Sequence, residues 1–156
     1  MHLSTFTDYS LRVLIYAAAR SPRQVSLTEL AEAYGISRNH LIQVVRKLGH
    51  LGYLENTRGR GGGIRLGKDP ATVRISEIVQ ATEPGFVMAE CFQKKRGANR
   101  CRLTPICVLR GALADATQAF LDTLDQYTLA DIVVNRPQVL ALLGGADPPP
   151  AEQPAA

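Results

Sequence analysis

Residues 26–53 read SLTELAEAYGISRNHLIQVVRKLGHLGY, and this run limits the possible folds more than any other part of the chain. Ser26 stands three residues before Glu29, the form of a capping box that starts a helix. Leu27, Leu30 and Ala31 face inward from that helix. Gly35 breaks it, because glycine turns the backbone out of a helix without a Cβ penalty. Ser37 then caps a second, longer helix. In it Leu41, Val44, Val45, Leu48 and Leu51 follow helical spacing, while Asn39, Gln43, Arg46, Lys47 and His50 fall on the opposite side. A short helix, a glycine turn and a longer helix make a helix-turn-helix.

The next residues, YLENTRGRGGGIRL, predict two short strands, Tyr53 to Thr57 and Ile64 to Leu66, around Arg58–Gly63. A hairpin directly after the second helix of such a motif is a wing. Four glycines beside Arg58 and Arg60 let the backbone approach phosphates, and an arginine suits a narrow minor groove. A nucleotide-phosphate loop would end in Gly-Lys-Ser/Thr and open a helix, and this segment does neither. At the start of the longer helix, Ser37, Arg38, Asn39, His40, Gln43 and Lys47 are the candidates for reaching DNA, with Arg58 and Arg60 from the wing.

Ahead of the motif, Thr5 to Arg20 predicts a helix that is apolar on most sides and therefore buried. Asp8 and Arg12 stand four apart on its more polar stripe. After the wing, TVRISEIVQATE predicts a strand and then a short helix from Ser76. A loop follows over 84–106. From Pro105 onward Leu109, Leu113, Ala116, Phe120 and Leu124 repeat at helical spacing, which predicts a long helix to about Tyr127. It lies outside any domain the first 85 residues could complete, so its apolar face predicts pairing in a dimer. Thr128 caps one more short helix, LADIVVN, and the end of the chain has the composition of a disordered tail. The expected fold is mainly α with a small β-wing: a winged helix-turn-helix over 1–83, a loop over 84–106, a dimerisation helix and short C-terminal helix over 107–143, and a tail over 144–156.

Charge agrees with the placement of the motif. The net charge is +4, yet residues 1–70 hold ten Lys/Arg against five Asp/Glu, while the remainder holds eight against nine. The N-terminal half is therefore the part suited to a polyanion, double-stranded DNA. The apolar stretch near the N-terminus is no export signal by its charges: Asp8 precedes it and Arg12 interrupts it. No run approaches the length of a membrane span. These features predict a cytoplasmic protein, where clustered thiols more often mean metal or redox chemistry than structural disulfides.

All three cysteines, Cys91, Cys101 and Cys107, lie in CFQKKRGANRCRLTPIC, together with five Lys/Arg. Three thiols cannot all pair. A loop rich in Lys, Arg, Gly and Pro is a poor core, and its positive charge favours the thiolate that binds metal. The spacing Cys-x9-Cys-x5-Cys has none of the close pairs usual for zinc. On spacing alone an iron–sulfur cluster, zinc and a thiol switch are comparable readings. An electron carrier of the ferredoxin kind would need denser Cys-x2-Cys runs and no recognition helix. No set of nucleophile, base and orienting group is visible, so no enzyme is expected.

FTDYSLRVLIY, ISRNHLIQVV, RGRGGGIRLG, CRLTPIC and YTLADIV, in this order, resemble the nitric-oxide-sensing repressors of the NsrR type. These belong with IscR to one family of winged-helix regulators that carry iron–sulfur clusters. The resemblance spans about residues 1–143. It implies a homodimeric repressor that binds a DNA operator and controls nitric-oxide detoxification genes. It further implies a cluster held by Cys91, Cys101 and Cys107, with nitric oxide as the signal that releases the DNA. It maps the fourth ligand onto Asp8 of the partner subunit, with Arg12 placed to support that carboxylate. Three thiolates and one carboxylate favour a 4Fe–4S cluster, with 2Fe–2S as the other form. The nine residues between Cys91 and Cys101 exceed the spacing of the pattern and predict a surface bulge around KKRGAN. Two other regulators share the fold implied: an IscR-like regulator of iron–sulfur cluster or iron supply, and a thiol- or zinc-based redox sensor.

Overall fold

The computed structural model describes residues 2–57, 59, 62–93 and 101–144. Helix α1 (Thr5–Arg20) starts where Ser4 accepts a hydrogen bond from the Thr7 amide. Its apolar excess is explained by its place. Val13, Leu14, Tyr16, Ala17 and Ala19 are buried, and the helix packs against four other helices and the wing. Helix α2 (Leu27–Tyr34) ends at Gly35, whose φ of 64° is left-handed and suits glycine. Helix α3 (Arg38–His50) is capped by Ser37 and buries Leu41, Val44, Val45 and Leu48. The expected helix-turn-helix is present.

The wing consists of β1 (Leu54–Asn56) and β2 (Ile64–Leu66), antiparallel, with Leu54 opposite Leu66 and Asn56 opposite Ile64. Its first strand is shorter than the expected Tyr53 to Thr57. The wing is also sewn to the chain ahead of α2, since Val25 and Ile64 exchange both backbone hydrogen bonds at 2.8 Å. Gly63 makes that approach possible: a Cβ there would stand 2.7 Å from the Val25 carbonyl oxygen.

The strand expected ahead of the short helix from Ser76 is a single bridge. Arg74 pairs with Thr128, flanked by bonds from Ile75 N to Tyr127 O and from Leu129 N to Val73 O. Extended backbone is present, but its partner is one short turn and no sheet forms. Helix α4 (Ile75–Thr82) begins one residue before the expected Ser76. A 3-10 turn covers Thr104–Ile106, so the long helix α5 (Val108–Asp125) starts after Cys107 and not at Pro105. Nor is α5 without a partner in its own chain. Its C-terminal half packs against α4, where Phe120, Leu121 and Leu124 lean on the core. Its N-terminal end is bare, with Val108 86% and Leu109 65% exposed.

The chain then returns to α1. Thr128 and Asp131 form a complete capping box at α6 (Leu129–Ile132), and Leu129 enters the core. A further helix not foreseen, α7 (Arg136–Leu142), packs on α1 and buries Leu140. Pro137 sits at its start, where a missing N–H costs nothing. The expected tail lies outside the described residues except for Gly144. No helix among the described residues is long and apolar enough to cross a membrane.

Candidate nucleic-acid interface and cysteine loop

One side of α3 is open to solvent along its whole length. Ser37, Arg38, Asn39, His40, Gln43, Arg46, Lys47 and His50 are all exposed, while every fourth or third residue between them is core. These candidates are not equivalent. Arg38 is held, its guanidinium donating to Thr28 Oγ1 of α2 at 3.0 Å. Ser37 is occupied with capping and lies 3.1 Å from His40 Nδ1. The His40 ring sits 6.0 Å from Tyr9 of α1, on the flank of α3 toward that helix. Asn39 and Gln43 stand one turn apart on the open side. Arg58 and Arg60 lie outside the described residues.

Between α3 and the wing runs a groove of about 670 Å³. Arg38, Arg46 and His50 line one wall, and Asn56, Thr57 and Gly62 the other. Arg46 and His50 were not among the expected contact residues. Their signal was present in the sequence as the same helical stripe, two and three turns beyond Arg38. What periodicity could not give is the opposing wall, because it depends on how the wing folds back. Gln24 Nε2 donating to Thr57 Oγ1 at 3.2 Å fixes the wing from the other side. Across the wing, Arg65 pairs with Glu55 at 2.6 Å.

The cysteine loop begins at Glu83, and this residue joins it to α1. The Glu83 carboxylate accepts from Ser4 N at 3.0 Å, Ser4 Oγ at 3.1 Å and Thr7 Oγ1 at 2.6 Å. A carboxylate is favoured there by the orphan amides and the positive end of the helix. Phe86, three residues on, packs edge-to-face with Phe120 of α5. Cys91 lies half-buried in a 3-10 turn, Glu90–Phe92, Cys101 is exposed, and Cys107 is half-buried immediately before α5. All three are free thiols. Among the described residues no three His, Cys, Asp or Glu side chains meet at one metal-sized point. Residues 94–100, where the surface bulge is expected, lie outside the described residues.

Asp8 is on α1, one turn after the Glu83 cap. Arg12 grips both of its oxygens, Nε to Oδ1 at 3.0 Å and Nη2 to Oδ2 at 3.0 Å. The Asp8 hydrogen bond raises the Arg12 guanidinium further above its ordinary value. Arg12 also lies over the Tyr34 ring, 5.8 Å from its centroid. The pair stays 43–44% exposed, so the carboxylate is oriented and still reachable. Two oxygens held by one fork leave lone pairs on each for a further partner.

A sequence profile of the Rrf2 family, described as iron-dependent transcriptional regulators, matches residues 3–135. The chain belongs to the Rrf2 family. Among Rrf2-like relatives, it is 49% identical over 144 residues to the HTH-type transcriptional regulator NsrR of Bacillus subtilis (strain 168), which covers 92% of this chain and 97% of that protein. In fold it is similar to T. potens IscR, with a TM-score of 0.66 and 21% identity over 86% of this chain and 88% of the other. It is likewise similar to CymR (YrzC), the global cysteine regulator of B. subtilis, with a TM-score of 0.64 and 26% identity over 86% of this chain and 98% of the other. This Rrf2 protein is thus a winged-helix transcriptional regulator.

Proposed function

We propose that this Rrf2 regulator is a homodimeric repressor that binds a DNA operator through α3 and the wing and senses nitric oxide through an iron–sulfur cluster. The observation that carries the sensing part is the set of three free thiols in the loop that Glu83 anchors to α1. Its near-full-length relatives named NsrR support the same reading. The donor set fits such a group: soft thiols, none in a disulfide, on a loop outside the core. Cys91, Cys101 and Cys107 would hold it, with the partner subunit's Asp8 as fourth ligand, and 4Fe–4S is favoured over 2Fe–2S. When bound, the group supplies iron that nitric oxide can attack.

The chain's own residues perform the rest. Arg12 orients the Asp8 carboxylate. Glu83 fixes the start of the loop to the start of the same helix. Helix α1 packs on α3, so a pull at Asp8 is borne by the helix that supports the DNA-reading face. Two recognition helices must meet half-sites about one DNA turn apart, so a small relative rotation weakens both contacts. The bare apolar end of α5, with Leu103 and Ile106 beside it, favours a second copy of the chain as its cover.

The test is anaerobic purification followed by an absorption spectrum with iron and acid-labile sulfide analysis, for wild type and for Cys91→Ala, Cys101→Ala and Cys107→Ala. Wild type is expected to carry iron and sulfide in equal amounts, and each variant to lose them while remaining folded. Full iron in all three variants would move the site elsewhere.

A further inference from the structure

Helix α3 sorts its residues cleanly with one exception. Leu41, Val44, Val45 and Leu48 are buried, and its polar residues are open to solvent. Ile42 breaks the pattern: it is 44% exposed and is the one large apolar side chain of α3 left in water. It stands one turn after Arg38 and one turn before Arg46, and all three line the groove between α3 and the wing. Scattered exposed apolar residues need no explanation. This one sits in the middle of a cationic, hydrogen-bonding surface, at the first turns of the helix that enters the major groove.

In the major groove every base edge offers hydrogen-bond donors or acceptors, and only thymine adds an apolar feature, its C5-methyl. We infer that Ile42 is a specificity-determining residue that packs on a thymine C5-methyl in the operator half-site. The inference rests on α3 as the DNA-reading helix. Arg38, tied to Thr28, and Arg46 flank the isoleucine on either side along the helix, where side chains of that kind reach base acceptors or phosphates. The isoleucine then has a partner that water does not offer it, and the neighbouring base pairs fix the register in which the methyl is met.

The experiment uses the cluster-loaded full chain under anaerobic conditions. A half-site is first selected from a random duplex pool. Each thymine in it is then replaced, one at a time, by deoxyuridine, which removes the methyl and keeps every hydrogen-bonding group. At one position the loss is expected to be about fourfold in affinity, the factor for burying one methyl-sized group. Ile42→Ala is expected to bind the thymine duplex more weakly and to show no further loss on the uracil duplex. Ile42→Val, which keeps a branched methyl, is expected to retain part of the discrimination. Because the uracil arm needs no variant, a folding defect in Ile42→Ala leaves the test intact. If wild type selects a half-site yet no uracil replacement costs affinity, or Ile42→Ala keeps the full loss, the inference is overturned. If no sequence is selected at all, the reading of α3 as a DNA-reading helix is what has failed.

Discussion

Glu29 stands where a capping box would return its carboxylate to Ser26, but the carboxylate goes elsewhere. Ser26 does cap the Glu29 amide at 3.1 Å. The Glu29 side chain accepts from Tyr16 Oη at 2.9 Å, pairs with Arg23 and lies 3.5 Å from Arg20 Nε. Burial alone would raise its carboxyl, but hydrogen bonds from Arg23 and Tyr16 and the two arginine charges outweigh it, so the group is held below its ordinary value. A carboxyl depressed in the folded state contributes stability above the unfolded value of about 4.3. That contribution is lost as pH falls through the folded value. Glu29→Gln is therefore expected to lose about 1–2 kcal/mol at neutral pH. The deficit should shrink on acidification, as read by denaturant unfolding across the acid range. A deficit that stays constant into acid would contradict the ion-pair account. The residue-scale legibility of the sequence stops at this kind of point. Helical spacing told which side of α3 Arg38, Asn39 and Gln43 occupy, but not that Thr28 holds Arg38 or that His40 turns toward Tyr9. Those partners come from α2 and α1, whose approach no local pattern encodes.

At the scale of elements, α1, α2 and α3 were legible because caps, a left-handed glycine and apolar spacing agree with one another. The elements misread are those whose partner is remote. Thr72 and Val73 have strand composition, yet Thr72 closes a 3-10 turn, Pro70–Thr72, and among the described residues Val73 and Arg74 meet only the turn at 127–129. Helix α7 opens on Asn135, Arg136 and Pro137, just where the expected short helix LADIVVN ends. The wing depends on a contact equally invisible in sequence, the bridge between Val25 and Ile64. Gly63→Ala would push a methyl to 2.7 Å from the Val25 carbonyl. Overpacking of this kind costs about 1–3 kcal/mol. The expected outcome is a lower unfolding midpoint together with weaker, less salt-dependent binding to DNA of any sequence, because the wing is displaced from the phosphates. Unchanged stability and unchanged salt dependence would mean that the bridge does not hold the wing.

In the whole molecule, α1 is the common support. It carries Asp8 on its open side, accepts the Glu83 cap at its start, and packs on α3, α4, α6 and α7. The anchor of the cysteine loop and the support of α3 therefore lie on one helix, which is what the proposed sensor needs if its signal site and its DNA site do not touch. Cysteine count and spacing left the metal undecided, since thiol donors alone suit iron–sulfur, zinc or a redox switch. The chain's family is described as iron-dependent, and the Asp8–Arg12 pair is a held, reachable carboxylate. The most direct measurement is an anaerobic fluorescence-anisotropy titration of operator DNA with the cluster-loaded protein, repeated after stepwise addition of nitric oxide. Affinity for the operator is expected to fall in step with nitric oxide added per cluster, while Cys107→Ala binds weakly from the start and does not respond. A wild-type protein that carries its full iron and sulfide and binds the operator equally well before and after nitric oxide would contradict the account.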